Sequence, residues 1–139
     1  MSLLLDTSTI SELRAGRDAN VAAWAEASDR RRWYLSVLTL GEIRKGIEKL
    51  RGREPQRAAA FDSWLEMLYR QFGSRLVEID AKVAEEWGRL DAGDPRPTVD
   101  SLIAASARVR GFAVVTRNTV DFEPLDVPVV NPWLGPGER

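Results

Sequence analysis

A chain of 139 residues is one domain long, with material for a sizeable core. Its 44% hydrophobic and 29% charged residues exclude a disordered or fibrous polymer. It holds no cysteine and no histidine, and its net charge is −1. These absences rule out disulfide frameworks, thiolate or imidazole metal sites, and Ser-His-Asp or Cys-His nucleophiles. Any metal site must be built from oxygen, which favours a hard cation such as Mg²⁺ or Mn²⁺.

No apolar run is long enough for a signal peptide or a membrane span, and the lack of cysteine fits a reducing compartment, so a cytoplasmic location is expected. Basic residues gather at Arg30-Arg31-Arg32 and at Arg44, Lys45, Lys49, Arg51 and Arg53. Solvated helix faces explain them; they permit a nucleic-acid partner without requiring one.

In chain order, Leu3-Leu4-Leu5 reads as a strand buried on both faces, as in a parallel sheet. Thr9-x-x-Glu12 fits a capping box and predicts a helix start there, with Asp6 at the carboxyl end of the strand, just outside the helix. Val21–Ala25 predicts a short helix, and Trp33–Val37 a second strand. Thr39 is the expected cap of a helix whose core stripe is Leu40, Ile43, Ile47 and Leu50. Phe61, Trp64, Leu65, Leu68 and Phe72 mark an amphipathic helix that Gly73 ends. Leu76–Ile79 reads as a third strand ending at Asp80, and Val83, Ala84, Trp87 and Leu90 as another helix. Asp94-Pro95-Arg96-Pro97 forms a rigid loop. Thr98–Val109 is almost entirely small or apolar, which predicts a buried helix. Ala113–Val115 is a fourth strand, followed by the polar turn Thr116-Arg117-Asn118. Val127–Val130 is a fifth, and its proline places it at an edge. Strands alternating with helices predict a parallel sheet covered on both faces. Residues 1–134 are expected to form one domain and 135–139 a flexible tail.

Acidic residues fall repeatedly at strand ends or first helical turns, on what should be one edge of the sheet, where ligands bind in open α/β folds. Each has a plainer explanation. Asp6 after a strand is a natural N-cap. Glu42, expected in the first turn of its helix, favours the helix dipole and pairs with Lys45. Asp100 opens the buried helix, so its charge needs water, a partner or a metal, though the dipole alone accounts for an acid there. Asp121 is an ordinary loop or cap residue. Asp80 and Glu12 compete for the same edge. Together the acids mean more: packed carboxylates repel and raise one another's pKa values, and a divalent cation reverses that cost. Such a cation can polarise a phosphodiester and activate water for in-line attack.

The motifs Leu3-Leu4-Leu5-Asp6-Thr7-Ser8-Thr9, Leu35-Ser36-Val37-Leu38-Thr39-Leu40-Gly41-Glu42, Asp100-Ser101-Leu102-Ile103-Ala104-Ala105 and Thr116-Arg117-Asn118 with Asp121-Phe122 occur in that order, closed by Asn131-Pro132-Trp133. Over essentially its whole length the chain resembles the PIN domain, specifically the VapC-type toxins of type II toxin–antitoxin pairs. The resemblance implies a three-layer α/β/α sandwich with a central, mainly parallel sheet of four to five strands. It implies a Mg²⁺- or Mn²⁺-dependent endoribonuclease that cleaves RNA with a metal-activated water. By position, Asp6, Glu42 and Asp100 match the core acidic triad and Asp121 the fourth acid. Asp6 and Asp100 are then direct ligands, Glu42 and Asp121 complete the site or hold water, and Thr116 and Asn118 orient water or a carboxylate. Arg44, Lys45 and Arg117 are expected phosphate contacts. The family also implies a homodimer and a cognate VapB-type antitoxin, with operator DNA bound only through that antitoxin.

Two other readings stand beside this one. A haloacid-dehalogenase-type phosphotransferase would use Asp6 as a covalent nucleophile, but wants an aspartate where Ser8 stands. A non-catalytic PIN-like module would bind RNA or protein without turnover. The helix of Phe61, Trp64, Leu65 and Leu68 reads as core, with a partner groove as the alternative.

Overall fold

Three consecutive leucines make a strand only where both sheet faces are covered. The structure, a computed structural model that describes residues 1–135, covers both. Its elements run β1 (Leu3–Leu5), α1 (Thr7–Ala15), α2 (Ala19–Ala27), β2 (Trp33–Ser36), α3 (Val37–Arg51), α4 (Pro55–Phe72), β3 (Leu76–Val77), α5 (Ala81–Gly93), α6 (Thr98–Arg110), β4 (Ala113–Val115), α7 (Thr119–Phe122) and β5 (Val129–Val130). Of the tail expected at 135–139, residues 136–139 lie outside the described residues.

The strand order is β3-β2-β1-β4-β5 and every pairing is parallel. Leu4 pairs with Tyr34 on one side and Val114 on the other, which makes β1 the central strand. Strand alternation then separates two cores. Leu5, Leu35 and Val115 face the layer of α1, α3 and α4, packing with Ile10, Ile43, Ile47, Leu65, Leu68 and Phe72. Leu4, Val77 and Val114 face the opposite layer, with Ile103, Ala104 and Ala107 of α6 and Phe122 of α7. Alanines on α6 let that helix approach the sheet closely, and Ala104, Ala105 and Ala107 are fully buried. This is the three-layer α/β/α sandwich.

Helix starts differ from the expected ones. The cap of α1 is Asp6, not Thr9, which lies a turn further in and is fully buried. The cap of α3 is Ser36, whose hydroxyl accepts from Leu38 N, not Thr39. Both threonine hydroxyls instead reach between elements: Thr9 Oγ1 lies 2.9 Å from Val115 O, sharing its one proton between that carbonyl and Asp6 Oδ1, and Thr39 Oγ1 lies 3.1 Å from Thr7 Oγ1. Glu42 therefore sits in the second turn of α3, not the first. The edge strands are shorter than read. β3 stops at Val77, before Glu78 and Ile79, and β5 begins at Val129. β5 does take an edge, and Pro128 uses its one polar backbone group there, its carbonyl accepting from Val114 N at 2.9 Å.

Candidate active site

β1 lies between β2 and β4, so chain connections leave in opposite directions on either side of its carboxyl end, the place where open parallel sheets form their ligand crevice. Asp6 is the first residue beyond β1, and its backbone N–H still donates to Val115 O at 3.0 Å. Its side chain is 6% exposed. Oδ1 accepts from Thr9 N at 2.9 Å, Thr9 Oγ1 at 2.8 Å and Ser8 Oγ at 2.8 Å. The capping explanation for Asp6 is therefore correct, and it accounts for only one carboxylate oxygen. None of the described hydrogen bonds reaches Oδ2.

The other acids arrive from three separate helices. Glu42 on α3 is exposed, and its Oε1 accepts a hydrogen bond from Thr7 Oγ1, which ties α3 to the start of α1. Asp100 stands in the first turn of α6, half-buried, with no hydrogen bond or ion pair among the described residues. Asp121 lies on the single turn of α7, its N–H donating to Asn118 O at 3.1 Å. Burial pushes the Asp100 carboxyl above its ordinary pKa, and the charges of Asp121, Asp6 and Glu42 push it further the same way. Three acids far apart in the chain therefore reach Asp100 with their charge.

Glu12 and Asp80 do not join them. Glu12 Oε2 accepts the backbone N–H groups of Arg17 at 2.7 Å and Asp18 at 3.0 Å, and so clamps the turn between α1 and α2. Asp80 caps α5 through Val83 N at 3.0 Å. Thr116, fully buried beyond β4, accepts from Asn118 N at 3.0 Å and shapes the turn that carries α7. Asn118 is exposed in that turn.

The expected phosphate contacts separate. Arg44 is engaged by Asp62 at 2.6 Å and Glu48 at 3.2 Å, in a network that Arg51 also joins. Lys45 lines a cleft with Glu42 and Val99. Arg117 is exposed and lies over the Trp133 ring at 5.6 Å. Leu65 and Leu68 are core, whereas Phe61 and Trp64 are half-buried and border an apolar cleft of about 200 Å³ beside Thr7 and Glu42.

Sequence reasoning missed Arg96. From the loop before α6 it pairs with Asp94 at 2.8 Å and reaches within 4.0 Å of Asp121, where it offsets part of the acidic field. Its position between two prolines marked a rigid loop but carried no sign of where the side chain points.

Among the described residues, no group of three or more acidic side chains forms a ready-made metal cage. The donor chemistry still suits a hard dication. It consists of carboxylate oxygens only, with Asp100 unpaired and raised in pKa and with Asp6 Oδ2 unbonded.

An α/β/α sandwich with acids converging at the carboxyl edge of its central parallel strand defines a class of small acidic-site domains. The chain belongs to the PIN domain family, whose profile matches residues 3–126. It is 33% identical over 138 residues to VapC ribonuclease Y4jK of Sinorhizobium fredii, covering 94% of this chain and 97% of that protein. The crystal structure of FitAcB from Neisseria gonorrhoeae superposes with a TM-score of 0.86 at 32% identity, covering 94% of this chain and 98% of that one. A toxin–antitoxin complex from Klebsiella pneumoniae superposes with a TM-score of 0.69 at 26% identity, covering 94% of this chain and 98% of that one.

Proposed function

We propose that the chain is the toxin of a type II toxin–antitoxin pair and cleaves RNA as an endoribonuclease with Mg²⁺ or Mn²⁺. One observation carries this reading: the unpartnered, half-buried Asp100 carboxyl is pushed up in pKa by burial and by the charges of Asp121, Asp6 and Glu42. Such a cluster is costly for a fold unless a cation or a proton is shared there. PIN ribonucleases in general depend on a divalent metal. Asp6 and Asp100 would hold it, with Glu42 and Asp121 completing the set. When bound, the cation supplies Lewis-acid polarisation of the phosphodiester and eases deprotonation of the attacking water.

The chain's own residues do the rest. Ser8 and Thr9 fix the Asp6 carboxylate by hydrogen bonds to Oδ1, so its free oxygen has one orientation. Thr7 does the same for Glu42. Thr116 holds the turn from which Asn118 orients water or the Asp121 carboxylate. Phosphate contacts fall in this reading to Lys45, which shares a cleft with Glu42, and to Arg117, while Arg44 is engaged by Asp62 and Glu48. The ribonuclease named VapC and the toxin–antitoxin complex among its relatives support the same reading. So does the apolar cleft beside Glu42, which suits an antitoxin segment covering the site. By the same resemblance we propose a homodimer, a VapB-type antitoxin that alone carries operator DNA, and a cytoplasmic location. Among the described residues no helix is long and apolar enough to cross a membrane.

The phosphotransferase reading loses its ground, because Ser8 donates to Asp6 where that chemistry wants a second carboxylate. The test is cleavage of structured RNA by the purified chain with Mg²⁺ or Mn²⁺. Cutting should stop in EDTA and in Asp6→Asn. Cleavage that persists in both overturns the proposal.

A further inference from the structure

Four carboxylates that must meet a polyanion leave a physical question: what holds the RNA strand on either side of the bond to be cut. A groove of about 620 Å³ between α1, α4 and the turn after β4 offers an answer. Arg14, Arg17, Arg57 and Arg117 line it, together with Phe61 and Trp133. The groove opens onto the acids, since Ser8 lines it and also donates to Asp6 Oδ1. Arg117 stands next to Thr116 at the end of β4.

Part of the remaining basic surface is already paired, although Arg30, Arg32, Arg53, Arg70 and Arg110 also lack a carboxylate partner among the described residues. Arg31, Arg44, Arg51, Arg89, Arg96 and Arg108 are neutralised by acids within 3.3 Å. Among the described residues, the guanidinium groups of Arg14, Arg17 and Arg117 form no ion pair and that of Arg57 has only Glu54 at 3.5 Å, while the one acid lining the groove, Glu12, spends its Oε2 on the backbone N–H groups of Arg17 and Asp18. Three of the four lie against aromatic faces: Arg14 at 4.0 Å from the Phe61 ring centre, Arg57 at 5.7 Å from the same ring, and Arg117 at 5.6 Å from Trp133. Unpaired positive charge gathered in one groove of a chain with net charge −1 is complementary to a phosphate backbone. Half-buried aromatic rings beside it are platforms on which unpaired bases stack. Trp133 is held in place for this. Asn131 Oδ1 accepts from Trp133 N at 3.0 Å, and Asn20 Nδ2 donates to Trp133 O at 2.9 Å. The Asn131-Pro132-Trp133 motif thereby acquires a role: it fixes an aromatic face at the rim of the groove.

We propose that this arginine–aromatic groove is where single-stranded RNA flanking the cleavage site docks, its phosphates on Arg14, Arg17, Arg57 and Arg117 and a base on Trp133. The inference rests on the ribonuclease reading, but binding and cleavage are measured apart. The probe is a fluorescein-labelled single-stranded RNA of mixed sequence, bound to the full-length Asp6→Asn chain in EDTA and followed by anisotropy over a range of salt. Each phosphate contact in a single strand contributes about 0.7 to the slope of log K against log salt, so Arg14→Ala/Arg117→Ala should lower the slope by about 1.4 and weaken binding about tenfold or more. Trp133→Phe should keep most of the affinity. Trp133→Ala should lose about tenfold with the slope unchanged, because stacking is not ionic. Arg31→Ala, whose guanidinium is paired with Asp29, is the control and should change neither quantity.

Unchanged affinity and slope in the double arginine variant, with its far-ultraviolet spectrum intact, would overturn the proposal. So would loss of binding to a poly-glutamate peptide with RNA binding retained, which would make the groove a site for an acidic protein segment. If wild-type protein with Mg²⁺ fails to cut RNA while the variants still lose RNA binding, the groove stands and the nuclease reading falls. If wild type cuts and the variants bind normally, only the groove falls.

Discussion

Asp6 caps α1 with one carboxylate oxygen, and the proposed site would use the other, so the two roles should respond differently to substitution. Oδ1 holds the start of α1 through Thr9 N and two hydroxyls. Asparagine is as good an N-cap as aspartate, whereas alanine at a cap costs about 1 kcal/mol. Asp6→Asn should therefore unfold in urea within about 0.5 kcal/mol of the parent, yet cleave RNA at least about a hundredfold more slowly through loss of one charge-bearing ligand oxygen. Asp6→Ala should lose activity and stability together. If Asp6→Asn cleaved RNA as fast as the parent, Asp6 would be a cap and nothing more. The pair of variants thus separates two explanations that no single substitution can.

At the scale of elements, the central architecture was legible and the boundaries were not. Leu3-Leu4-Leu5 and Ala113-Val114-Val115 read as buried parallel strands because an uninterrupted apolar run admits no exposed face. The helix starts were misread because Asp6, Thr7, Ser8 and Thr9 can each cap, as can Ser36 and Thr39. Local chemistry is degenerate there, and the decision belongs to tertiary contacts such as Thr9 to Val115 O and Thr39 to Thr7. The candidate acids were legible as positions at strand ends and helix starts on one edge of the sheet, but the side-chain partners that orient them were not, and Arg96 gave no sign of where its side chain points. The element most dependent on the rest is α7, a helix of four residues that cannot sustain itself in water. Phe122, fully buried against Leu4, Val114 and Ile103, anchors it and so places Asp121. Phe122→Ala should cost about 3–5 kcal/mol in denaturant unfolding. Phe122→Leu, which keeps most of the volume, should cost far less and retain activity. A loss below about 1 kcal/mol for the alanine variant would show that α7 is held by something other than its core contact.

For the molecule as a whole, the acidic crevice makes stability depend on pH and on cations in opposite senses. Burial first, then Asp121, Asp6 and Glu42, push the Asp100 carboxyl above its ordinary pKa. A carboxyl whose folded pKa exceeds its unfolded one binds its proton more tightly in the native state. Its contribution to stability is whole below the unfolded pKa and is lost as pH climbs through the raised folded value. In EDTA the parent should therefore lose stability across that window relative to Asp100→Asn, which has no proton to give up there. At neutral pH the variant should be the more stable of the two. Mg²⁺ reverses the order. A ligand that binds only the native state stabilises it by about 2.7 kcal/mol at a hundredfold excess over its Kd, and the gain requires Asp100 to be ionised, so it grows as pH rises. Thermal melts of parent and Asp100→Asn, each in EDTA and in saturating Mg²⁺ over a pH series, read both effects at once. The curves should cross: variant above parent without the cation, parent above variant with it. Superimposed curves would mean that Asp100 neither feels the other three acids nor shares a cation with them, and the crevice would be only a cluster of solvated caps.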